Sequence, residues 1–394
     1  MALQVKSIPE SAFPEYRQDI MFKAYKWDLQ AGEESTIGDK TILLDRTEAQ
    51  FLAETAIGLY QETVSLEQAL KTRPDLGISI GISENMARAL HTCAYEPKNH
   101  IRIMRFDFHP TESGWALSEV NSDATAGYPE ASLLPLLAEP FFDGYTRYGD
   151  FGAIFAERLK KQIPPGKTIA YVHDTRIVED YQSLRFLGDR SKREGYPSIY
   201  LAPHNVKWKD NKALQADVMF RCFPVEYLEY TKGVDWVRFL NTDTPSCNHP
   251  IALLTQSKRL PLIWDQLDVD LPLWRKLLPK TVEPWQAGHA EGFILKPAFG
   301  RTGEGINIPG VVLAEENQAI LSAAKENSDQ WVAQKMFTSK PVQSMHLCLG
   351  TFVIDGKFAG FYGRMSDRPK IDADAADVPV LVKNDEKEHG NDER

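Results

Sequence analysis

Cysteine is scarce in this chain of 394 residues: Cys93, Cys222, Cys247 and Cys348 are the whole set. No two of them form a Cys-x-x-Cys pair or stand at zinc-ligand spacing, so buried free thiols in a reducing compartment are the expectation. No apolar run approaches the ~20 residues of a membrane-spanning helix. A basic run is also missing, and the net charge of −10 argues against a nucleic-acid partner. Met1 to Pro14 has neither a basic start nor an apolar core, so no secretory signal is expected and the cytoplasm is the expected location. Internal repeats and low-complexity tracts are absent. At this length, two or three domains around separate cores are expected.

The most informative stretch runs from Gly292 to Ile308. Phe293-Ile294-Leu295 reads as a buried strand ending in Lys296-Pro297. A loop with Gly300, Arg301, Thr302, Gly303 and Gly305 follows, and Ile306-Asn307-Ile308 reads as a returning strand before the Pro309-Gly310 turn. Glycines let backbone N–H groups approach phosphate oxygens, while Lys296 and Arg301 bring positive charge. The spacing is not that of a Walker A loop, and no helix opens after the glycines as a Rossmann fingerprint requires. A glycine-rich hairpin tip with no ligand fits these residues equally well.

Elsewhere the chain reads as mixed α and β. Residues 1–40 carry aromatics without clear periodicity, with Tyr25-Lys26-Trp27-Asp28 as a docking patch. Thr41–Leu44 is a short strand, and helices cover Thr47–Leu70 and Glu84–Leu90. Ile101–Phe108 and Trp115–Asn121 form a hairpin, with Arg105 and Asp107 on one face of the first strand and Glu119 and Asn121 on one face of the second. A small-residue loop, Ser122–Gly127, precedes helical segments to about Tyr145. Strand 168–173, helix 180–194 and strands 198–201 and 218–222 make an open α/β unit between about 165 and 250. Leu260–Leu278 is helical with a break at Leu271-Pro272, Gln318–Glu326 is a helix, and Trp331–Phe337 is a strand. Leu347–Asp355 and Lys357–Arg364 flank an Asp-Gly turn as a hairpin. The charged tail from Lys383 is expected to be disordered.

Asp107, Glu119 and Asn121 are oxygen donors of the kind Mg²⁺ shares with phosphate and water. Arg105 suits an anionic substrate group. Each residue also has a plainer reading. Glu119 and Asn121 can be solvated residues of an edge strand. Arg105 can simply pair with Asp107, Lys335 can snorkel from a strand end, and Arg364 can be an exposed hairpin end. His173 and the cysteines fit core positions.

Taken together, Arg105–Phe108, Glu119–Asp123, Leu260–Trp264, Lys296–Arg301 with Gly305–Ile308, and Phe352–Arg364 resemble the synthetase domain of glutathionylspermidine synthase and its stand-alone bacterial relatives. That family is a branch of the ATP-grasp ligases, and the likeness runs from about residue 15 to about 383. The resemblance implies an α+β (α/β) fold: an ATP-grasp fold in permuted order, with a pre-ATP-grasp-like α/β domain. The expected division is 1–164 with the metal and substrate strands, 165–255 as the α/β domain, 256–383 as the ATP-clamping lobe, and 384–394 as a disordered acidic tail. It implies ATP-dependent joining of a carboxylate and an amine, a polyamine among the candidates, through an acyl phosphate. By position, Asp107, Glu119 and Asn121 would hold Mg²⁺. Lys296, Lys335, Gln334, Gly300, Arg301, Gly303 and Gly305 would hold ATP, and Arg105 and Arg364 would serve the acyl centre. Arg105, Thr125, Glu179 and Glu226 would face substrate. Ala124 and Ala126 stand where the family often has hydroxyls that bind glutathione. The family's acidic position after the active-site arginine falls on Ala376, with Asp374 and Asp377 beside it. The amidase domain fused in some members is not expected. These departures motivate a rival reading, an ATP-binding regulatory or scaffold protein, and a plain carbohydrate- or peptide-binding module is a third.

Overall fold

A five-stranded antiparallel sheet forms the middle of the molecule in a computed structural model that describes residues 3–27, 30–31, 34–287 and 292–385. Its order across is Ala376–Val378, Lys357–Ser366, His346–Ile354, Ile103–Thr111 and Gly114–Asn121. The two hairpins read from the sequence are therefore joined edge to edge, with Asp107 opposite Glu119 on one side and Gly350 on the other. Alternation then puts one face in the core: Met104, Phe106, Phe108, Leu347 and Leu349 are buried there. The long helix Arg46–Lys71 packs against this sheet and buries Leu52, Ala56 and Leu59, three positions at helical spacing. The other face carries Arg105, Asp107, Glu119, Asn121 and Arg364.

Three larger sheets surround this one, beside two two-stranded ribbons, Trp208–Lys209 with Lys212–Ala213 and Gln30–Ala31 with Glu34–Ser35. A parallel sheet runs Ser246–Cys247, Val218–Cys222, Ile169–His173, Ser198–Leu201, with the helix Val178–Arg193 as its crossover. This is the expected open α/β unit. A three-stranded sheet runs Thr281–Val282, Trp331–Lys335, Phe293–Pro297. A fourth brings the chain's ends together: Leu3–Ser7, Lys40–Leu44, Val380–Lys383 and Tyr145–Thr146. The division into 1–164, 165–255 and 256–383 remains a proposal; the central sheet draws strands from the first and last of these segments.

Several local expectations are corrected. Ile306–Ile308 is not a strand, and Phe293–Pro297 pairs instead with Trp331–Lys335. The cause is visible at Leu295, whose N–H donates to the side-chain Oδ1 of Asn307 at 2.5 Å, so a side chain does the work of a partner strand. The span 260–278 is not one helix. Pro261 and Pro272 break it into two 3₁₀ turns and the short helix Pro272–Leu277. Helices at Phe13–Lys23 and Phe151–Gln162 were not expected. The docking patch around Tyr25 fails at Lys26, which is buried; Asp28 and the expected tail beyond residue 385 lie outside the described residues. No helix among the described residues is long and apolar enough to cross a membrane.

Candidate active site

A cavity of about 910 Å³ opens on the polar face of the central sheet. Its size and mixed lining are those of a small-molecule site. It gathers every residue singled out from the sequence except Glu226 and Gly305: Arg105, Asp107, Glu119, Asn121, Thr125, Glu179, Lys296, Gly300, Arg301, Gly303, Gln334, Lys335 and Arg364 all line it. Glu226 joins through its ion pair with Arg301 at 3.0 Å, and Gly305 closes the turn of the glycine loop at φ +66°.

At one end Lys258 and Lys296 meet the acidic hairpin, and Lys335 also lines the cavity. Lys296 is buried and donates to Gln334 Oε1 at 2.7 Å. Lys258, which sequence reasoning missed, pairs with Glu119 Oε2 at 2.8 Å and donates to the Gly300 carbonyl at 2.5 Å. It thus ties the acidic strand to the glycine loop. Lys258 sits in the irregular segment before the 3₁₀ turns, where no periodicity marks it. Lys335 closes the Trp331–Lys335 strand, with its ammonium 5.4 Å from the Phe293 ring. Burial lowers the Lys296 pKa to about 8, opposed by the Glu119 charge and aided to a lesser degree by Lys258. Burial works against ionising Glu119, but Lys258, Lys296 and Arg105 outweigh it and hold the carboxyl down at about 2. An excess of cations over anions is the arrangement that a polyphosphate would relieve.

Asp107 is held by the Arg105 fork, Nε at 2.7 Å and Nη2 at 3.0 Å, and by Asn121 Nδ2 at 3.0 Å. The plain ion-pair reading of Arg105 is therefore real, and the same side chain also lines the cavity and donates to the Ala126 carbonyl at 2.8 Å. Gly350 makes this possible, because a Cβ there would come within 2.7 Å of Arg105 Cδ. Gly114–Asn121 is an edge strand of the sheet, but Asn121 is buried and not solvated. Asp107, Glu119 and Asn121 bring two carboxylates and an amide side by side, hard oxygen donors of the type Mg²⁺ takes, with both Asp107 oxygens engaged by Arg105 and Asn121 and Glu119 Oε2 by Lys258. Among the described residues no group of three or more His, Cys, Asp or Glu side chains could hold a metal by itself.

The other end is acidic. Arg364 is not an exposed hairpin end: it is held by the Asp372 carbonyl, with Nε 3.8 Å from Asp377 Oδ1. Asp377 also accepts from the Tyr362 hydroxyl at 2.6 Å. Glu179 and Asp180 face the cavity from the start of the Val178–Arg193 helix. Burial and then the neighbouring Glu179 raise the Asp180 pKa to about 7. The Thr125 hydroxyl is turned to Tyr128 at 2.6 Å, and Ala124, Ala126, Phe223 and Pro224 make the adjoining wall apolar. His173 stands off the cavity lining and stacks near Tyr181, as a core histidine does. All four cysteines are buried and free.

The Glutathionylspermidine synthase preATP-grasp family model matches residues 8–383. This chain belongs to that family. Membership places it among ATP-dependent ligases in general. No curated protein matches the sequence. Among solved structures, a glutathione synthetase-like effector from Globodera pallida in its apo form aligns at a TM-score of 0.58 and 12% identity, covering 95% of this chain and 98% of that one. A Methylobacillus flagellatus protein named as a candidate gamma-glutamylcysteine synthetase aligns at 0.47 and 13% identity, covering 78% and 88%, and carries no argument here. The first shares the fold alone: α+β, of the ATP-grasp type.

Proposed function

We propose that the chain is an ADP-forming carboxylate–amine ligase that makes an amide bond through an acyl phosphate. The observation that carries this reading is Lys258 bridging Glu119 and Gly300, because it sets the acidic hairpin, the glycine loop and Lys296 around one space. A triphosphate between them would neutralise the crowded lysines. Asp107, Glu119 and Asn121 would hold Mg²⁺, which supplies charge neutralisation at the phosphates when bound. Lys296, Lys335 and Lys258 would orient the phosphate chain, with Gln334 fixing the Lys296 ammonium and serving the nucleotide beside it. Arg105 and Arg364 would hold the carboxylate as it is phosphorylated and stabilise charge when the amine attacks. The acidic end, with Glu179 and Asp180, favours a cationic amine there, and the apolar wall at Ala124 and Ala126 turns the reading away from glutathione as the carboxylate.

Thermal shift with Mg-ATP, followed by phosphate release over a panel of peptides, amino acids and amines, tests this. The expected result is release that needs Mg²⁺, a carboxylate and an amine together. ATP binding without release under any pair would instead favour the regulatory or scaffold reading, and absence of ATP binding would leave the plain binding module.

A further inference from the structure

Lys26 is a buried lysine inside the acidic end, and the proposed chemistry makes no use of it. Its ammonium lies 2.7 Å from Asp377 Oδ2 and 3.0 Å from Glu130 Oε1, and the residue lines the cavity. The chain goes to some trouble to put it there. Tyr25 takes φ +63°, uncommon for a bulky side chain, and its hydroxyl is tied to Asp189 at 2.9 Å. Tyr362 and Glu179 complete the set of titratable groups that act on Lys26; burial disfavours its charge, but Asp377 and Glu130 outweigh burial and hold the lysine firmly protonated.

Lys26 is therefore an ammonium of the protein's own, standing where charge complementarity would seat one from a ligand. It takes up Asp377, which the Tyr362 hydroxyl and Arg364 also approach. Among the described residues no cation forms an ion pair with Glu179 or Asp180, and these two are neighbours at one helix start. They make one place for an ammonium, not a row of places.

We propose that Lys26 is a specificity-determining residue that fills the Asp377 half of the acidic end, so that this end accepts an amine ligand through one ammonium and gains nothing from a second or third. The proposal rests on the ligase reading for its meaning, but its test does not need ligation. Calorimetric binding of n-butylamine, putrescine and spermidine would be measured on the wild type, Lys26→Met and the charge-keeping Lys26→Arg. The wild type and Lys26→Arg are expected to bind all three with similar affinity, whereas Lys26→Met should bind spermidine about tenfold more tightly relative to n-butylamine. A wild type that already prefers spermidine tenfold, a ratio unmoved in Lys26→Met, or no amine binding at all would overturn it. A merely structural Lys26 would weaken every amine alike. Should Lys26→Met fail to fold, Lys26→Ala in added n-butylamine serves: a rise in its melting temperature larger than that of the wild type is expected, because the variant offers a second place for an ammonium, and a rise no larger than the wild type's overturns the proposal. Failure of the ligase reading is recognised separately, as amine binding that follows this pattern without any amine-dependent phosphate release.

Discussion

The two ends of the cavity are built from opposite charge and respond to crowding in opposite directions. At the lysine end, burial, with a smaller push from Lys258 and against the pull of Glu119, brings Lys296 down to about 8. At the acidic end, burial and a second carboxylate push Asp180 up to about 7. One group at each end, Lys296 and Asp180, is pushed toward its neutral form, and each would be relieved by a ligand of the opposite sign. Under the proposed reading the difference sets a polarity: an anion would sit beside Lys258 and Lys296, a cation beside Glu179 and Asp180, and a carboxylate would be held by Arg105 and Arg364.

The sharpest way to break this comparison is to disable one end and ask whether the other survives. Lys296→Met should lower kcat/KM for ATP by on the order of 10²-fold or more while leaving the KM for the amine within about twofold. Arg364→Lys should lower kcat with KM values little changed, by on the order of tenfold to a hundredfold, because lysine cannot reproduce a guanidinium fork. Glu179→Gln should do the reverse of Lys296→Met, raising the amine KM by about five- to tenfold with ATP unaffected. Steady-state kinetics with each substrate varied in turn reads all three.

The pH profiles should separate the ends as well. Lys296 loses its proton above about pH 8, so kcat/KM for ATP should fall above that value. Asp180 gains its charge above about pH 7, so kcat/KM for a cationic amine should rise through that value. Profiles that move together would break the comparison. The smallest expected effect is structural: Gly350→Ala should cost about 1–3 kcal/mol in a denaturant melt, because its Cβ would press on the mid-chain carbons of Arg105.

The lysine end was largely legible in the sequence because strands fix it. Alternation put Arg105 with Asp107 and Glu119 with Asn121, and the hairpin set them opposite each other. Lys296 was marked by ending a strand before the glycines. Lys258 was not legible, since an irregular segment gives no face on which to place a side chain. The acidic end was legible only through the family resemblance, which pointed to Glu179, Arg364 and Asp377 but not to Lys26. Lys26 meets Asp377 only because the final strands fold back beside the first ones, with Val380–Lys383 against Lys40–Leu44 and Asp377 bridged to Ile37. Pairings across some 350 residues leave no local pattern to read. The failed strand at 306–308 has the opposite cause: its composition was right, but the Asn307 side chain had already satisfied the edge.

The most direct test of the account is calorimetric binding of Mg-ATP to the wild type, Lys296→Met and Glu119→Gln. The account predicts binding to the wild type, weakening by at least about tenfold in Lys296→Met, and loss of the Mg²⁺ dependence in Glu119→Gln. Wild-type affinity and unchanged Mg²⁺ dependence in both variants would contradict it.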